Sequence, residues 1–280
     1  MKQRIRLLAI DIDGTLLDSR FRLPEANRRG VVAAHRTGVE IVLVTGRRFT
    51  FAQPIASQFP IDLTVVASNG AVVKTKDGQT LARQLLPRAH ARAVLEAAGP
   101  QRDSALLLFD REAEGQIVTE RIDFRHPSVG NYLERNSRYL LRVPRIEEAL
   151  TEDPIEVLFV DAVAPMRALE TRLQQAPCAR EVTLARTEYP QRDLTLLDAL
   201  ARGCHKGAAL ARWTAARGLG AGEVMAIGDN WNDLEMLEFA GLPVLMGNSS
   251  EKLKQRGWTV TATNDESGVA AAIGTYLLSS

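Results

Sequence analysis

Asp11 and Asp13 stand two residues apart at the end of a short apolar run, Ile5–Ile10, and Gly14-Thr15 follow at once. In a regular strand the two carboxylates would face one side. Gly14 and Thr15 mark a turn, however, so one side chain and one backbone carbonyl can converge on a cation. A hard divalent ion such as Mg²⁺ takes oxygen ligands, and Asp229, at the end of another apolar run, is the candidate for a third carboxylate ligand. Thr45-Gly46 offer a hydroxyl and unhindered backbone N–H groups suited to phosphoryl oxygens. Lys206 opens a helix, where the macrodipole disfavours positive charge unless an anion lies close. Gly228-Asp229-Asn230-Trp231-Asn232-Asp233 crowds two carboxylates and two amides into one turn. Taken singly, each segment is what a strand–turn–helix junction uses for caps. Together they make a reaction. A carboxylate nucleophile beside Mg²⁺ attacks phosphorus in line, while Lys206 and the Thr45 hydroxyl neutralise charge on the transferring group. Asp13 protonates the leaving alkoxide and later takes a proton from the water that hydrolyses the acyl-phosphate.

The elements that must position these groups alternate between buried strands and helices. Ile5–Ile10, Ile41–Val44, Leu63–Ala67 and Val224–Ile227 are short, nearly continuous apolar runs, the pattern of strands covered on both faces of a parallel sheet. Pro24 opens a helix that Gly38 stops, and Val72-Val73 with Lys76-Asp77-Gly78 predict a hairpin. Between about Leu85 and Ala199 the texture changes. Strands at Leu106–Asp110, Gln116–Glu120, Glu156–Asp161 and Glu181–Ala185 are separated by amphipathic segments such as Pro165–Gln175, as in an α+β unit. The α/β rhythm then resumes with a helix over Lys206–Arg217, the strand at Val224, a helix over Leu234–Ala240, a short strand at Pro243–Met246 and a last helix over Val269–Leu277. The fold class is therefore α/β, one sheet split by an insertion: residues 1–84 plus 200–280 form the core and 85–199 a separate lobe. Loops at the strand ends meet along one edge, where open α/β sheets bind ligands.

These residues also carry a resemblance. Asp11-Ile12-Asp13-Gly14-Thr15-Leu16-Leu17, Val44-Thr45-Gly46-Arg47, Ser68-Asn69-Gly70-Ala71, Lys206-Gly207, Gly228–Asp233 and Asn264-Asp265-Glu266-Ser267-Gly268-Val269 stand in order along nearly the whole chain. The set resembles the Cof-like phosphatases of the haloacid dehalogenase (HAD) superfamily. The resemblance implies a Rossmann-like catalytic core with an inserted α+β cap of type IIB. It implies Asp11 as nucleophile and Asp13 as acid/base. Thr45, Gly46, Lys206 and Asn232 would lie on the phosphate, and Asp11, Asp13 and Asp229 on Mg²⁺. Asp233 would support Lys206 or the metal waters. The cap would close over the site and select the leaving group.

Composition sets the boundaries. The 280 residues are 45% hydrophobic and 25% charged, enough apolar surface for a real core. With 35 Lys+Arg against 34 Asp+Glu, the balance draws the chain toward neither nucleic acid nor anionic lipid. An aromatic share of 5% without interleaving on basic patches argues the same way against nucleic acid. Arg121, Arg125, Arg135, Arg138 and Arg142 in the insertion are read as a solvated face. Cys178 and Cys204 form no metal-ligand or disulfide pattern, which favours a reducing, cytoplasmic setting. Lys2, Arg4 and Arg6 precede only Leu7–Ile10 before Asp11, too short a stretch for a secretion signal or a membrane span. His35, His90, His126 and His205 share no metal-ligand spacing, and His205 alone adjoins a site segment. Gly218, Gly220 and Gly222 follow a helix rather than a strand, which excludes a dinucleotide fingerprint. The expected function is Mg²⁺-dependent hydrolysis of a small phosphorylated metabolite, a sugar phosphate or a phosphorylated cofactor, through an aspartyl-phosphate. The alternatives are a phosphomutase or phosphotransferase, which passes the same phosphoryl group to a hydroxyl, and a non-catalytic metabolite sensor. The sequence carries no sign of the oligomeric state.

Overall fold

The computed structural model describes residues 4–121 and 127–278, which leaves Arg125 and His126 outside the described residues. The chain divides into two compact units, Met1–Arg83 with His205–Ser280, and Gln84–Cys204. The first unit begins with β1 (Leu7–Asp11), α1 (Glu25–Arg36), β2 (Glu40–Val44), α2 (Phe49–Ala56), β3 (Thr64–Ala67), β4 (Val72–Thr75) and β5 (Thr80–Arg83). The second contains α3 (Arg88–Ala97), β6 (Ala105–Leu108), β7 (Ile117–Thr119), α4 (Pro127–Arg135), β8 (Leu140–Arg142), β9 (Glu156–Asp161), α5 (Val163–Gln175), β10 (Val182–Tyr189) and β11 (Leu194–Ala201). The chain then completes the first unit with α6 (Lys206–Ala216), β12 (Val224–Gly228), α7 (Leu234–Phe239), β13 (Leu242–Leu245), α8 (Glu251–Lys254), β14 (Thr259–Val260) and α9 (Gly268–Leu277).

The first unit is one 8-stranded sheet ordered β14-β13-β12-β1-β2-β3-β4-β5. It is parallel from β14 to β3 and antiparallel over β4 and β5. Successive residues of β1 face opposite sides, and all five are buried, so both faces must be covered. Leu8 and Ile10 join Ile41, Leu43 and Ile227 under Val31, Ala52 and Ile273 of α1, α2 and α9. Leu7 and Ala9 join Val42, Val44 and Ala226 under Leu210 and Leu237 of α6 and α7. From β1 the chain steps outward to β2 and β3, and after the insertion it returns on the other flank of β1 as β12. The strand order thus reverses at β1/β12, the crevice where doubly wound sheets hold ligands beyond the carboxyl ends of their strands.

The second unit is a 6-stranded sheet ordered β10-β11-β9-β6-β7-β8, antiparallel except for the β7–β8 pair. Leu107, Val157, Phe159, Leu197 and Ala199 on one face pack against Val94, Leu95, Met166 and Leu169 of α3 and α5. Its last strand runs past the expected edge at Ala199, because β10 and β11 stay in register until Val182 meets Ala201. No helix among the described residues is long and apolar enough to cross a membrane.

Candidate active site

Three neighbouring strands deliver the site residues to one edge. β1 ends on Asp11, β2 leads into Thr45-Gly46-Arg47, and β12 leads into Asp229. Asp11 pairs in register with Val44, and Ile10 with Ile227, so the three carboxyl ends lie level. Past Asp11 the chain makes one irregular helical turn over residues 12–16, with Asp13 extended at φ −82° and Gly14 left-handed at φ +76°. A Cβ at residue 14 would fall 2.4 Å from Asp229 Oδ2, so glycine is needed there for its backbone angle and for the close approach. Thr15 closes the turn onto the same partner, its hydroxyl donating to Asp229 Oδ1 at 3.2 Å.

Lys206 sits at the start of α6, and its side chain is 1% exposed. Nζ donates to Asp11 Oδ1 and to Asp233 Oδ1, both at 2.6 Å. Asp233 Oδ2 accepts the backbone N–H groups of Asp229 and Asn230 at 3.0 and 3.1 Å. Both oxygens of Asp233 are therefore committed, one to the lysine and one to the turn that carries Asp229. Carboxylate oxygens of Asp11, Asp229 and Asp233 lie within 4.8 Å of one another. Burial, the Asp233 charge and the Asp229 charge push the Asp11 carboxyl well above the usual carboxylate range, against the pull of Lys206. Burial and the charges of Asp233 and Asp13 push Asp229 up to about 7. Burial would lower the Lys206 ammonium, but Asp11 and Asp233 outweigh it and hold the group above its ordinary value.

The structure brings Asp11, Lys206, Asp229 and Asp233 into contact and turns the Asp13 side chain elsewhere. Arg47 Nε donates to Asp13 Oδ2 at 2.6 Å and Nη2 to Oδ1 at 2.5 Å, a two-pronged pair. The acidic cluster consists of Asp11, Asp229 and Asp233, while the Asp13 carboxylate pairs with Arg47 on the loop after β2. Thr45 is buried; its Oγ accepts the Arg47 N–H at 3.1 Å, and its O–H is left to donate elsewhere. Gly46 passes against the Asn69 amide, 3.0 Å from where a Cβ would stand. Asn232 shares a helical turn with Asp233 but makes no hydrogen bond to Asp11, Lys206 or Asp229 among the described residues. Trp231 is exposed on that turn. His205 is the N-cap of α6, its Nδ1 accepting from the Ala208 N–H at 3.2 Å, a structural duty.

A family model of haloacid dehalogenase-like hydrolases matches residues 8–273. The chain belongs to that family. Among its relatives, the phosphatase YwpJ of Bacillus subtilis is 28% identical over 95% of this chain and 98% of its own length. The pyridoxal phosphate phosphatase YbhA of Escherichia coli is 26% identical, covering 98% of this chain and 99% of its own. A crystallised haloacid dehalogenase-like hydrolase from Bacteroides thetaiotaomicron superposes with a TM-score of 0.80 at 27% identity, over 97% of this chain and 99% of that one.

In this HAD-family chain three amides complete the support of the turn that follows Asp11. Asn248 Nδ2 donates to the Gly14 carbonyl at 2.8 Å, Asn27 Nδ2 to the Leu16 carbonyl at 3.0 Å and Asn264 Nδ2 to the Leu17 carbonyl at 3.0 Å. The Asn264 N–H reaches back to Asn248 Oδ1 at 3.0 Å, so two of the three are tied together. Asn264 opens the last segment of the resemblance, whereas Asn27 and Asn248 carry no local signal, since each finds a carbonyl far away in sequence. Two buried carboxylates, Asp11 and Asp233, and the half-buried Asp229 against one ammonium leave negative charge in excess on an all-oxygen donor set, which fits a divalent cation.

Proposed function

We propose that this HAD-family chain hydrolyses small phosphorylated metabolites through an aspartyl-phosphate on Asp11. The observation that carries the proposal is Lys206 Nζ joining Asp11 to Asp233 at 2.6 Å each, in a buried cluster at the sheet's reversal point. Lys206 Nζ holds Asp11 through Oδ1, and the carboxylate is the attacking group. Attack forms the Asp11–phosphorus bond as the bond to the leaving oxygen breaks, and Asp13 gives that oxygen a proton. Water then attacks phosphorus, Asp13 takes its proton, and the Asp11 carboxylate is released. The Thr45 hydroxyl and the Gly46 N–H bind phosphoryl oxygens, and Lys206 offsets the charge that develops on them. Asn232 is placed on the phosphate as well. Asp11, Asp229 and the main-chain carbonyl of Asp13 would hold Mg²⁺. When bound, the ion supplies charge neutralisation of the phosphoryl oxygens and orients them for in-line transfer. Asp233 fixes Lys206 and the Asp229 turn.

The relatives' phosphatase names support monoester hydrolysis, and the pyridoxal phosphate enzyme supports phosphorylated cofactors beside sugar phosphates as substrates. The test is a panel of phosphorylated metabolites with Mg²⁺, scored for released phosphate and for isomerised product. Free phosphate that EDTA abolishes and Mg²⁺ restores is expected. Isomerised sugar phosphate without free phosphate would replace hydrolase by mutase, and saturable binding without any turnover would mark a sensor.

A further inference from the structure

We propose that Arg47 is the positioning residue of the Asp13 acid/base, a role that rests on the phosphatase function above. The guanidinium meets the carboxylate with two parallel N–H···O bonds, of 2.6 and 2.5 Å, on a pair that is only part exposed. A fork of this kind fixes the plane of a carboxylate as well as its place, which a point-charge ammonium cannot do. The base of the fork is itself anchored. The Arg47 N–H donates to Thr45 Oγ at 3.1 Å, and the Arg47 carbonyl accepts the Ser68 N–H at 2.9 Å. Ser68 and Asn69 hold left-handed backbone, φ +49° and +53°, an arrangement that persists only where the surroundings enforce it. The Asn69 N–H donates to the Thr45 carbonyl at 3.0 Å. The loop that presents Thr45 thus also aims Arg47, and through it Asp13.

The proton balance accommodates the pairing. With a proton on one oxygen, Asp13 still accepts from the guanidinium through the other. One bond of the pair therefore still holds Asp13 while the proton passes to the leaving oxygen as the phosphorus–oxygen bond breaks. In the second half the same carboxylate, held the same way, takes the proton of the attacking water. Proton donation matters most for an alkoxide leaving group and least for p-nitrophenolate, which departs without it.

The test compares kcat/KM, which reports steps up to departure of the leaving group, for a primary alkyl phosphate and for p-nitrophenyl phosphate. Wild type, Arg47→Ala and Arg47→Lys are run side by side with Mg²⁺, and circular dichroism verifies the fold of each variant. The Arg47→Ala loss on the alkyl substrate is expected to exceed its loss on p-nitrophenyl phosphate by about tenfold or more. Arg47→Lys, which keeps the charge without the fork, should recover only a minor part of that difference. Equal losses on both substrates, or a change in KM alone, would make Arg47 a phosphate-binding or structural residue and overturn the proposal while leaving the phosphatase function intact. Full recovery by Arg47→Lys would overturn the positioning role in favour of simple charge. A wild-type protein that releases phosphate from neither substrate would instead overturn the phosphatase function, and this role with it.

Discussion

At the scale of single residues, the site is an excess of buried negative charge held in check by one ammonium. Removing the Lys206 ammonium would leave Asp11 and Asp233 facing each other, buried and without compensation. Lys206→Met should lower stability by about 3–5 kcal/mol, the scale for breaking a buried ion pair. Denaturant unfolding checks it, and an unchanged midpoint would show that the pair contributes nothing. The same charge excess gives a pH dependence. Asp229 ionises at about 7 in the folded chain against an ordinary 3.8, so between those values the folded state holds a proton that the unfolded state has lost. The metal-free protein is therefore expected to lose stability as pH rises across that window and to lose no more from this group above it. Mg²⁺ held by the ionised acids, as proposed, would reverse the loss. The rise in Tm on adding Mg²⁺ should accordingly be larger at pH 7.5 than at pH 5, and an equal rise at both would contradict the assignment of Asp11 and Asp229 as ligands.

At the scale of elements, legibility followed burial. The strands that end in site residues are covered on both faces, so their apolar runs announced them, and each ends within about a residue of its expected place. The elements that escaped notice break a local rule for a tertiary reason. α2 contains Pro54, which reads as a stop, yet Phe49, Ala52, Ile55 and Ala56 bury one face of it and carry the helix through. β11 is interrupted by Asp198, a buried acid whose carboxyl burial pushes up to about 7, so its alternation reads as broken although its pairing with β9 and β10 is continuous. In the site, the residue types of Asp11, Lys206 and Asp229 were legible from strand ends and from a cation placed against a helix dipole. The Arg47–Asp13 pair and the amides of Asn27 and Asn248 were not, because a contact between distant loops leaves no spacing to read. The third amide of that set, Asn264, predicts an element-scale effect. Asn264→Ala strips the Leu17 carbonyl of its buried side-chain donor while keeping the backbone N–H that Asn248 accepts, and should cost about 1–3 kcal/mol. Equilibrium unfolding measures it, and a change below a few tenths would show that the turn is held without the clamp.

At the scale of the whole molecule, the chain divides into two compact units. The proposed chemistry lies entirely in residues of the first, and among the described residues the 6-stranded insertion contributes no member of the acidic cluster. Replacing residues 84–204 with the corresponding segment of a relative should therefore change which phosphorylated metabolites are hydrolysed while leaving the need for Mg²⁺ and for Asp11 in place. A chimera that folds but keeps the original substrate ranking would assign selection to the first unit instead. The account's central claim is covalent catalysis by Asp11, and acid quenching tests it most directly. Protein mixed with ³²P-labelled substrate and Mg²⁺, quenched within a turnover and digested, should carry label on the peptide containing Asp11, and Asp11→Asn should carry none while keeping its fold. Rapid release of labelled phosphate with no acid-stable label on that peptide at any time, or full activity in Asp11→Asn, would contradict it.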